Sequence, residues 1–205
     1  MKKTNDIDIC KSNNDESEKI LDKFKKIDIE NLGKYNIFFI GFMGVGKTTV
    51  SSYLSKILYR KYIEIDQYIE KEQKMTIPEI FEKYGEIYFR NLETETLRML
   101  NRMDNTIISC GGGIVLREEN IDLMKKQGKI ILLTATPETV YDRVRFSNER
   151  PILNNNMNVE FISSLMNKRE SKYLNSADLI IDTDNKSIEK ICEEIILTIS
   201  LSIKK

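Results

Sequence analysis

The chain has 205 residues and a mass of 24.0 kDa, which suits one α/β domain with a short appendage. Its 32 basic and 32 acidic residues cancel, so no global positive field exists to hold nucleic acid. Hydrophobic residues make up 40%, which is enough to build a core. The chain lacks His, so any proton transfer must fall to carboxylates, Lys, Tyr or Cys.

Cysteine usage and hydropathy indicate the compartment. The three cysteines are widely spaced and form no CxxC pair, which favours a reducing environment without structural zinc. No stretch approaches the ~18–20 apolar residues of a membrane helix, and the first residues lack the apolar run of a signal peptide. We therefore expect a cytoplasmic protein that binds neither membranes nor nucleic acid.

Residues 1–34 differ from the rest of the chain. They contain eight Lys and eight acidic residues, one Gly and no strand pattern. A helix from about Ser17 would place four apolar residues on one face: Ile20, Leu21, Phe24 and Ile27. We predict an N-terminal extension here, either poorly ordered or forming a short helix, and a P-loop domain over 35–205. Docking of a partner is the alternative role for the extension.

From Tyr35 onward, short β-rich runs alternate with helical patterns. The runs are Tyr35–Ile40, Tyr62–Ile65, Thr106–Ser109, Lys129–Leu133 and Leu179–Ile181. Such apolar runs are typical of strands covered on both faces of a parallel sheet. Helices are predicted over Thr48–Leu58, from near Ile87 to Leu100, over Glu118–Lys126 and Glu138–Phe146, and along a stripe from Ile188 to Ile199. The alternation predicts an open, doubly wound sheet that binds ligands at the carboxyl ends of its strands.

A phosphate-binding loop follows the first strand. Residues 41–49 read GFMGVGKTT and match GxxxxGK[ST] in the required strand–loop–helix context. Glycines let the backbone curl so that successive N–H groups face one phosphate. Lys47 supplies a mobile charge for the β- and γ-phosphates, and the Thr48 hydroxyl is a hard ligand for Mg²⁺. The motif predicts a nucleoside triphosphate site with magnesium, contacted by Gly44, Val45, Gly46, Lys47, Thr48 and Thr49.

Later segments of the chain carry further polar groups. Glu64-Ile65-Asp66 ends the second predicted strand, where carboxylates at i and i+2 are expected on the same side. The others read GEIYFR over 85–90, SCGGG over 109–113, and ERPIL over 149–153 followed by KRE over 168–170. Arginine is scarce, with nine against 23 lysines. Arginine at these positions therefore indicates bidentate recognition of anions.

This ordered set resembles the shikimate kinases over about residues 35–200. The matching motifs are the phosphate loop, the DxD-like pair, GExxFR, SxGGG, an RPLL-like segment and KRxxxY. The resemblance implies a three-layer P-loop kinase fold with a five-stranded parallel sheet, helices on both faces and a mobile lid. It implies MgATP-dependent phosphorylation of shikimate at its 3-hydroxyl, a step of aromatic amino-acid biosynthesis. ATP and shikimate would be the partners of an enzyme that we expect to be a monomer.

The resemblance also implies roles on the substrate side. Asp66 would bind the hydroxyls of shikimate and would orient or deprotonate the attacking one. Arg90 and Arg169 correspond to the arginines that hold the carboxylate, a task that suits planar guanidinium groups. The glycine turn on the substrate side corresponds to Gly111, Gly112 and Gly113.

On the nucleotide side, Arg150 corresponds to the arginine of a lid, here 146–158, and Arg143 to an arginine near the adenine. The adenine loop would fall at Asn185 and Lys186. The resemblance thus assigns catalysis to Asp66, Lys47 and Arg150. One residue departs from the family, because Glu64 stands where Asp is common. We expect its longer side chain to reach Mg²⁺ through water, beside Thr48.

Two alternatives remain open at this level. Another small-metabolite kinase, for gluconate or a nucleoside monophosphate, would share the architecture, and gluconate also carries a carboxylate. A nucleotide-binding regulatory module without catalysis would lack Lys47, Asp66 or Arg90, all of which are present. The GExxFR and SxGGG segments together favour shikimate.

Overall fold

Strands and helices alternate along the chain as the sequence predicts. The computed structural model describes residues 32–100, 102–145 and 158–203. Most of the predicted N-terminal extension and of the predicted lid, including Arg150, lies outside the described residues. The elements are β1 (Asn36–Ile40), α1 (Lys47–Ile57), β2 (Lys61–Glu64), α2 (Ile65–Gln73), α3 (Ile77–Leu100), β3 (Thr106–Ser109), a 3₁₀ turn (Ile114–Leu116), α4 (Glu118–Gln127), β4 (Gly128–Thr134), α5 (Pro137–Val144), α6 (Val159–Ser176), β5 (Leu179–Asp182) and α7 (Ile188–Ile203).

The five strands form one parallel sheet in the order β2-β3-β1-β4-β5. All five residues of β1 are buried, because helices cover both faces of the sheet at its centre. Strand β1 pairs with β3 on one side and with β4 on the other, and the strand order runs outward from it in both directions. The carboxyl end of β1 is therefore the switch point where such sheets bind ligands. The predicted fold class is confirmed. Among the described residues, no helix combines the length and apolar character needed to cross a membrane.

Two local details differ from the sequence prediction. The second strand ends at Glu64, and Asp66 lies in the first turn of α2, so the expectation that the two carboxylates share one side of a strand is wrong. A carboxylate is stabilised at this end of a helix by the helix dipole. The predicted helix from near Ile87 to Leu100 is confirmed as the part of α3 that follows Gly85, whose φ of 80° and ψ of 171° break the helix, but the turns from Ile77 to Tyr84 were not predicted. The helical turns that carry Arg90 therefore start afresh after Gly85.

The N-terminus of α1 differs from those of α5 and α6. Thr136 and Asn158 cap the latter two, because their side chains accept hydrogen bonds from the N–H groups of Thr139 and Phe161. The α1 cap is Gly46, at φ 97°, and within the described part of the chain no side chain caps it. The first N–H groups of α1 are thus left for another acceptor, as in helices that bind phosphate.

Candidate active site

The phosphate loop is curled and held by its own lysine. Gly44 and Gly46 adopt positive φ angles of 77° and 97°, a conformation that side chains with a Cβ rarely take. The Lys47 ammonium donates hydrogen bonds of 2.9 Å to the carbonyl oxygens of Gly41 and Phe42. These bonds tie the first turn of α1 back to the end of β1. Contacts within the chain therefore support the curled shape of the loop.

Beside this loop, two hard oxygen groups meet. The Thr48 hydroxyl donates a 2.8 Å hydrogen bond to Glu64 Oε1. The other carboxylate oxygen, Glu64 Oε2, is buried and has no hydrogen-bond partner among the residues that the structure describes. Hydroxyl and carboxylate oxygens are what Mg²⁺ prefers. The donor set therefore fits the predicted magnesium site, and the longer side chain of Glu64 does reach Thr48.

Three consecutive glycines form a turn between β3 and the 3₁₀ turn, on the predicted substrate side of the site. A Cβ atom on Gly111 would lie 2.5 Å from Asp66 Oδ1, and one on Gly113 would overlap the Arg90 guanidinium. Between them, the Gly112 carbonyl oxygen accepts a 3.3 Å hydrogen bond from Arg169 Nη1. The structure thus brings Asp66, Arg90 and Arg169 together around one turn, although they come from three different helices. A side chain at Gly111 or Gly113 would therefore displace these groups, whereas a Cβ on Gly112 would lie at 3.7 Å or more from its neighbours.

A buried carboxylate that the sequence did not single out pairs with Arg90. Arg90 Nη1 donates a 2.7 Å hydrogen bond to Glu93 Oε2, and Arg90 Nη2 donates a 3.0 Å bond to Glu86 Oε1. The Glu93 side chain is 0% exposed. Burial raises the pKa of Glu93 to about 7, although the Arg90 cation opposes the shift, and the nearby Asp66 carboxylate adds to it. Glu93 therefore titrates near neutral pH next to the predicted substrate site.

Tyr173 supports the glycine turn from α6. It follows Arg169 by one helical turn, and its hydroxyl donates to the same Gly112 carbonyl oxygen. Burial raises the pKa of Tyr173 to about 12, so the phenol keeps its proton and remains a donor. Cys110 precedes the turn and is buried, which raises the pKa of its thiol. Cys110 therefore packs as a small apolar side chain and is not suited to act as a nucleophile.

Arg143 joins the two loops on the nucleotide side. Its guanidinium donates 3.0 Å hydrogen bonds to the hydroxyl and the carbonyl oxygen of Thr183, and a 3.4 Å bond to the Gly44 carbonyl oxygen. The Thr183 hydroxyl also lies 3.1 Å from the Val45 carbonyl oxygen. The next residues include Asn185, whose positive φ of 53° turns the chain towards α7. Arg143 and the predicted adenine loop therefore lie side by side next to the phosphate loop.

Sequence reasoning missed Glu93 and Thr183, and it noted Tyr173 only as the last residue of the KRxxxY motif, without a role. Glu93 follows Arg90 by three residues and Tyr173 follows Arg169 by four, which are the spacings of neighbours on one helix face. Those spacings were available signals for Glu93 and Tyr173. Thr183 reaches the phosphate loop only through the fold, since 138 residues separate it from Val45.

The curled phosphate loop lies at the switch point of the sheet, and no described side chain caps the helix that follows it. Asp66 lies with Arg90 and Arg169 around the glycine turn. This arrangement is that of a P-loop kinase that acts on a small anionic acceptor. Comparisons with known proteins narrow this class. A family model described as shikimate kinase matches residues 43–200. The curated shikimate kinase of Caldanaerobacter subterraneus subsp. tengcongensis is 41% identical over 161 residues, which are 78% of this chain and 94% of that one.

Other relatives agree. The shikimate kinase of Geobacter sulfurreducens is 39% identical over 160 residues, covering 78% of this chain and 88% of its own. A solved shikimate kinase from Acinetobacter baumannii in complex with shikimate superposes with a TM-score of 0.78 at 32% identity, over 83% of this chain and 95% of that one. The chain belongs to the shikimate kinase family. Its activity is the ATP-dependent phosphorylation of shikimate, and the gluconate, nucleotide and regulatory alternatives are set aside.

Proposed function

We propose that Asp66, Arg90, Arg169 and the glycine turn hold shikimate, and that Lys47 and the phosphate loop hold ATP opposite it. The observation that carries this proposal is the convergence of all three side chains on Gly111, Gly112 and Gly113. Two guanidinium groups on one turn suit the carboxylate of shikimate, because each can form paired hydrogen bonds to it. Asp66 then faces the hydroxyl groups of the ring.

The proposed reaction is an in-line displacement. The 3-hydroxyl oxygen of shikimate attacks the γ-phosphorus of ATP, the bond from that phosphorus to the β,γ-bridging oxygen breaks, and ADP leaves. Asp66 orients the hydroxyl and receives its proton. The Lys47 ammonium moves from the loop carbonyls to the phosphates and offsets negative charge on the transferring group, which is the main contribution in this chemistry. Arg150 would add to this from the lid.

Magnesium enters the proposal through two residues. Thr48 would bind Mg²⁺ directly and Glu64 would bind it through water, as their 2.8 Å contact and the hard character of both oxygens allow. When bound, the ion neutralises charge on the phosphate oxygens of ATP.

One acceptor panel tests the proposal. ADP release would be followed with the full-length protein and ATP in the presence of shikimate, gluconate, a set of nucleoside monophosphates, or no acceptor. We expect ADP release that depends on shikimate, with formation of shikimate 3-phosphate detected by mass spectrometry. Turnover with another acceptor but not with shikimate would refute the proposal.

A methyl group on the glycine turn probes the carboxylate clamp. Gly113 has φ −100° and ψ 0°, so alanine fits the backbone, but its methyl group would push the Arg90 guanidinium aside. We expect Gly113→Ala to raise the KM for shikimate about tenfold, with the KM for ATP unchanged. The KM for ATP is the internal control, because the three atoms nearest to a Cβ on Gly113 all belong to the Arg90 guanidinium. An unchanged KM for shikimate, or an equal rise in both KM values, would contradict the clamp.

The pKa of Glu93 predicts a pH dependence of binding. Below about pH 7 the carboxyl group gains a proton, so one negative charge next to the proposed carboxylate site is removed. We expect the Kd for shikimate, measured by calorimetry, to rise about fivefold between pH 6 and pH 8. Glu93→Gln should bind with a Kd that stays constant over this range. A flat profile in the unmodified protein would show that Glu93 does not titrate there.

Two further expectations remain predictions. We propose that the protein is a monomer, which light scattering on the purified full-length chain would test. We also propose that the extension separate from the kinase domain ends before Leu32 rather than at residue 34, because Leu32 is buried in the core and Arg60 Nη2 donates a 2.6 Å hydrogen bond to the Gly33 carbonyl oxygen. A chain that begins at residue 32 should then keep its turnover with shikimate.

A further inference from the structure

Behind the Arg90 guanidinium lies a buried polar network that the mechanism does not use. Thr94 and Asn120 are 3% and 0% exposed. The Thr94 hydroxyl donates a 2.8 Å hydrogen bond to Asn120 Oδ1, and Asn120 Nδ2 donates a 2.9 Å bond to the Ile114 carbonyl oxygen. Arg117 Nη1 donates to the Thr94 hydroxyl at 3.3 Å. The hydrogen bonds thus form one series, in which Arg117 donates to Thr94, Thr94 to Asn120, and Asn120 to the 3₁₀ turn.

The network connects the two parts of the shikimate clamp. Thr94 lies one helical turn after Arg90 on α3, and its hydroxyl is 3.0 Å from the Arg90 carbonyl oxygen. Ile114 directly follows Gly113, the glycine against which the Arg90 guanidinium lies. A side-chain amide from α4 thus bridges the helix that carries Arg90 and the turn that faces it.

An apolar pair would be the simpler way to fill this space. Burying a hydroxyl and an amide costs free energy unless every polar atom finds a partner, and packing alone does not require them. When all partners are present, such a network permits one relative placement of the elements that it joins. The presence of the polar pair Thr94–Asn120 therefore indicates that the position of α3 relative to the 3₁₀ turn must be fixed here.

We propose that Thr94 and Asn120 are positioning residues for shikimate binding. They hold the Arg90 turn of α3 against the glycine turn and so set the width of the gap that receives the carboxylate. Neither residue touches the substrate. The inference rests on the proposed placement of Arg90 at that carboxylate.

Steady-state kinetics of Thr94→Val test the proposal. Valine keeps the shape of threonine and removes the hydroxyl. We expect the KM for shikimate to rise about tenfold, while the KM for ATP and kcat stay within about twofold. Thr94→Ser, which restores the hydroxyl, should return the KM for shikimate to that of the unmodified protein.

Thr96→Val is the matched control. Thr96 is on the same helix and equally buried at 3%, but its hydroxyl bonds back to the Leu92 carbonyl oxygen at 2.8 Å within the helix. Its replacement should leave the KM for shikimate unchanged. Equal KM values for Thr94→Val and Thr96→Val would overturn the proposal.

Comparing the Tm values of Thr94→Val and Thr96→Val separates positioning from stability. Each variant removes one buried hydroxyl, so the two Tm losses should be similar. We expect the KM for shikimate to rise only in Thr94→Val, whereas a purely structural role predicts that the KM follows the Tm in both variants. Arg90→Lys is measured alongside. An unchanged KM in Arg90→Lys would refute the proposed clamp itself, while a raised KM there with a normal KM in Thr94→Val would refute only the network.

Discussion

Asp66→Asn is expected to lower kcat by about three orders of magnitude while the Kd for ATP changes less than about twofold. Asparagine keeps the shape of the side chain, so the hydroxyls of shikimate would still be bound. The amide oxygen, however, cannot take the proton of the attacking hydroxyl and carries no charge to align it. A coupled ADP-release assay gives kcat, and calorimetry with a non-hydrolysable ATP analogue gives the Kd.

Asp122→Asn provides the comparison for this result. Asp122 is an exposed carboxylate on α4, so its change to an amide should leave kcat near that of the unmodified protein. Turnover of Asp66→Asn at the unmodified rate would remove Asp66 from the mechanism. A proportional loss of ATP binding would instead indicate that the substitution damages the nucleotide site.

Lys47→Met is expected to lower kcat by about two to three orders of magnitude and to weaken ATP binding as well. Methionine retains the apolar stem but brings no charge to the transferring phosphoryl group. The substitution also removes the 2.9 Å bonds to the Gly41 and Phe42 carbonyl oxygens, so the curl of the phosphate loop loses a support. The coupled ADP-release assay gives kcat, and calorimetry gives the Kd values for the ATP analogue and for shikimate.

Lys56→Met is the control for Lys47→Met. Lys56 is exposed at the other end of the same helix, and its replacement should affect neither kcat nor nucleotide binding. The Kd for shikimate should stay constant in both variants, because neither lysine belongs to the glycine turn or its arginines. An unchanged Kd for ATP in Lys47→Met would contradict the support that Lys47 gives to the loop.

The parts of the proposed site that could be predicted from the residues alone are unbroken stretches of sequence. Residues 41–49 and the three glycines at 111–113 carry their chemistry in the order of the chain, and periodicity places each at the end of a strand. The sequence could also identify Asp66, Arg90 and Arg169 by resemblance. Their convergence on one turn is a property of the fold, because they lie on α2, α3 and α6.

The remaining details depend on tertiary contacts or on local backbone geometry. Glu93 resembles any other acidic residue of a charged helix. Its pKa is raised by burial, with a contribution from the nearby Asp66 carboxylate, and Arg90 opposes this shift. The break at Gly85 agrees with the helix start predicted near Ile87, whereas the helical turns before it, from Ile77, were not predicted. The end of β2 was placed one residue too late, since Ile65 suits a buried strand and a buried helix position equally well.

Thr183 joins three segments on the proposed nucleotide side of the site. A single hydroxyl lies within 3.1 Å of the Val45 carbonyl oxygen and 3.0 Å of the Thr134 carbonyl oxygen, so the loop after β5, the phosphate loop and the end of β4 move together. The proposed acceptor side takes its side chains from other elements, α2, α3 and α6, whose turns meet at the glycines. If that side holds shikimate as proposed, substitutions on these three helices would change the preferred acceptor without touching the contacts of Thr183 that join the nucleotide side.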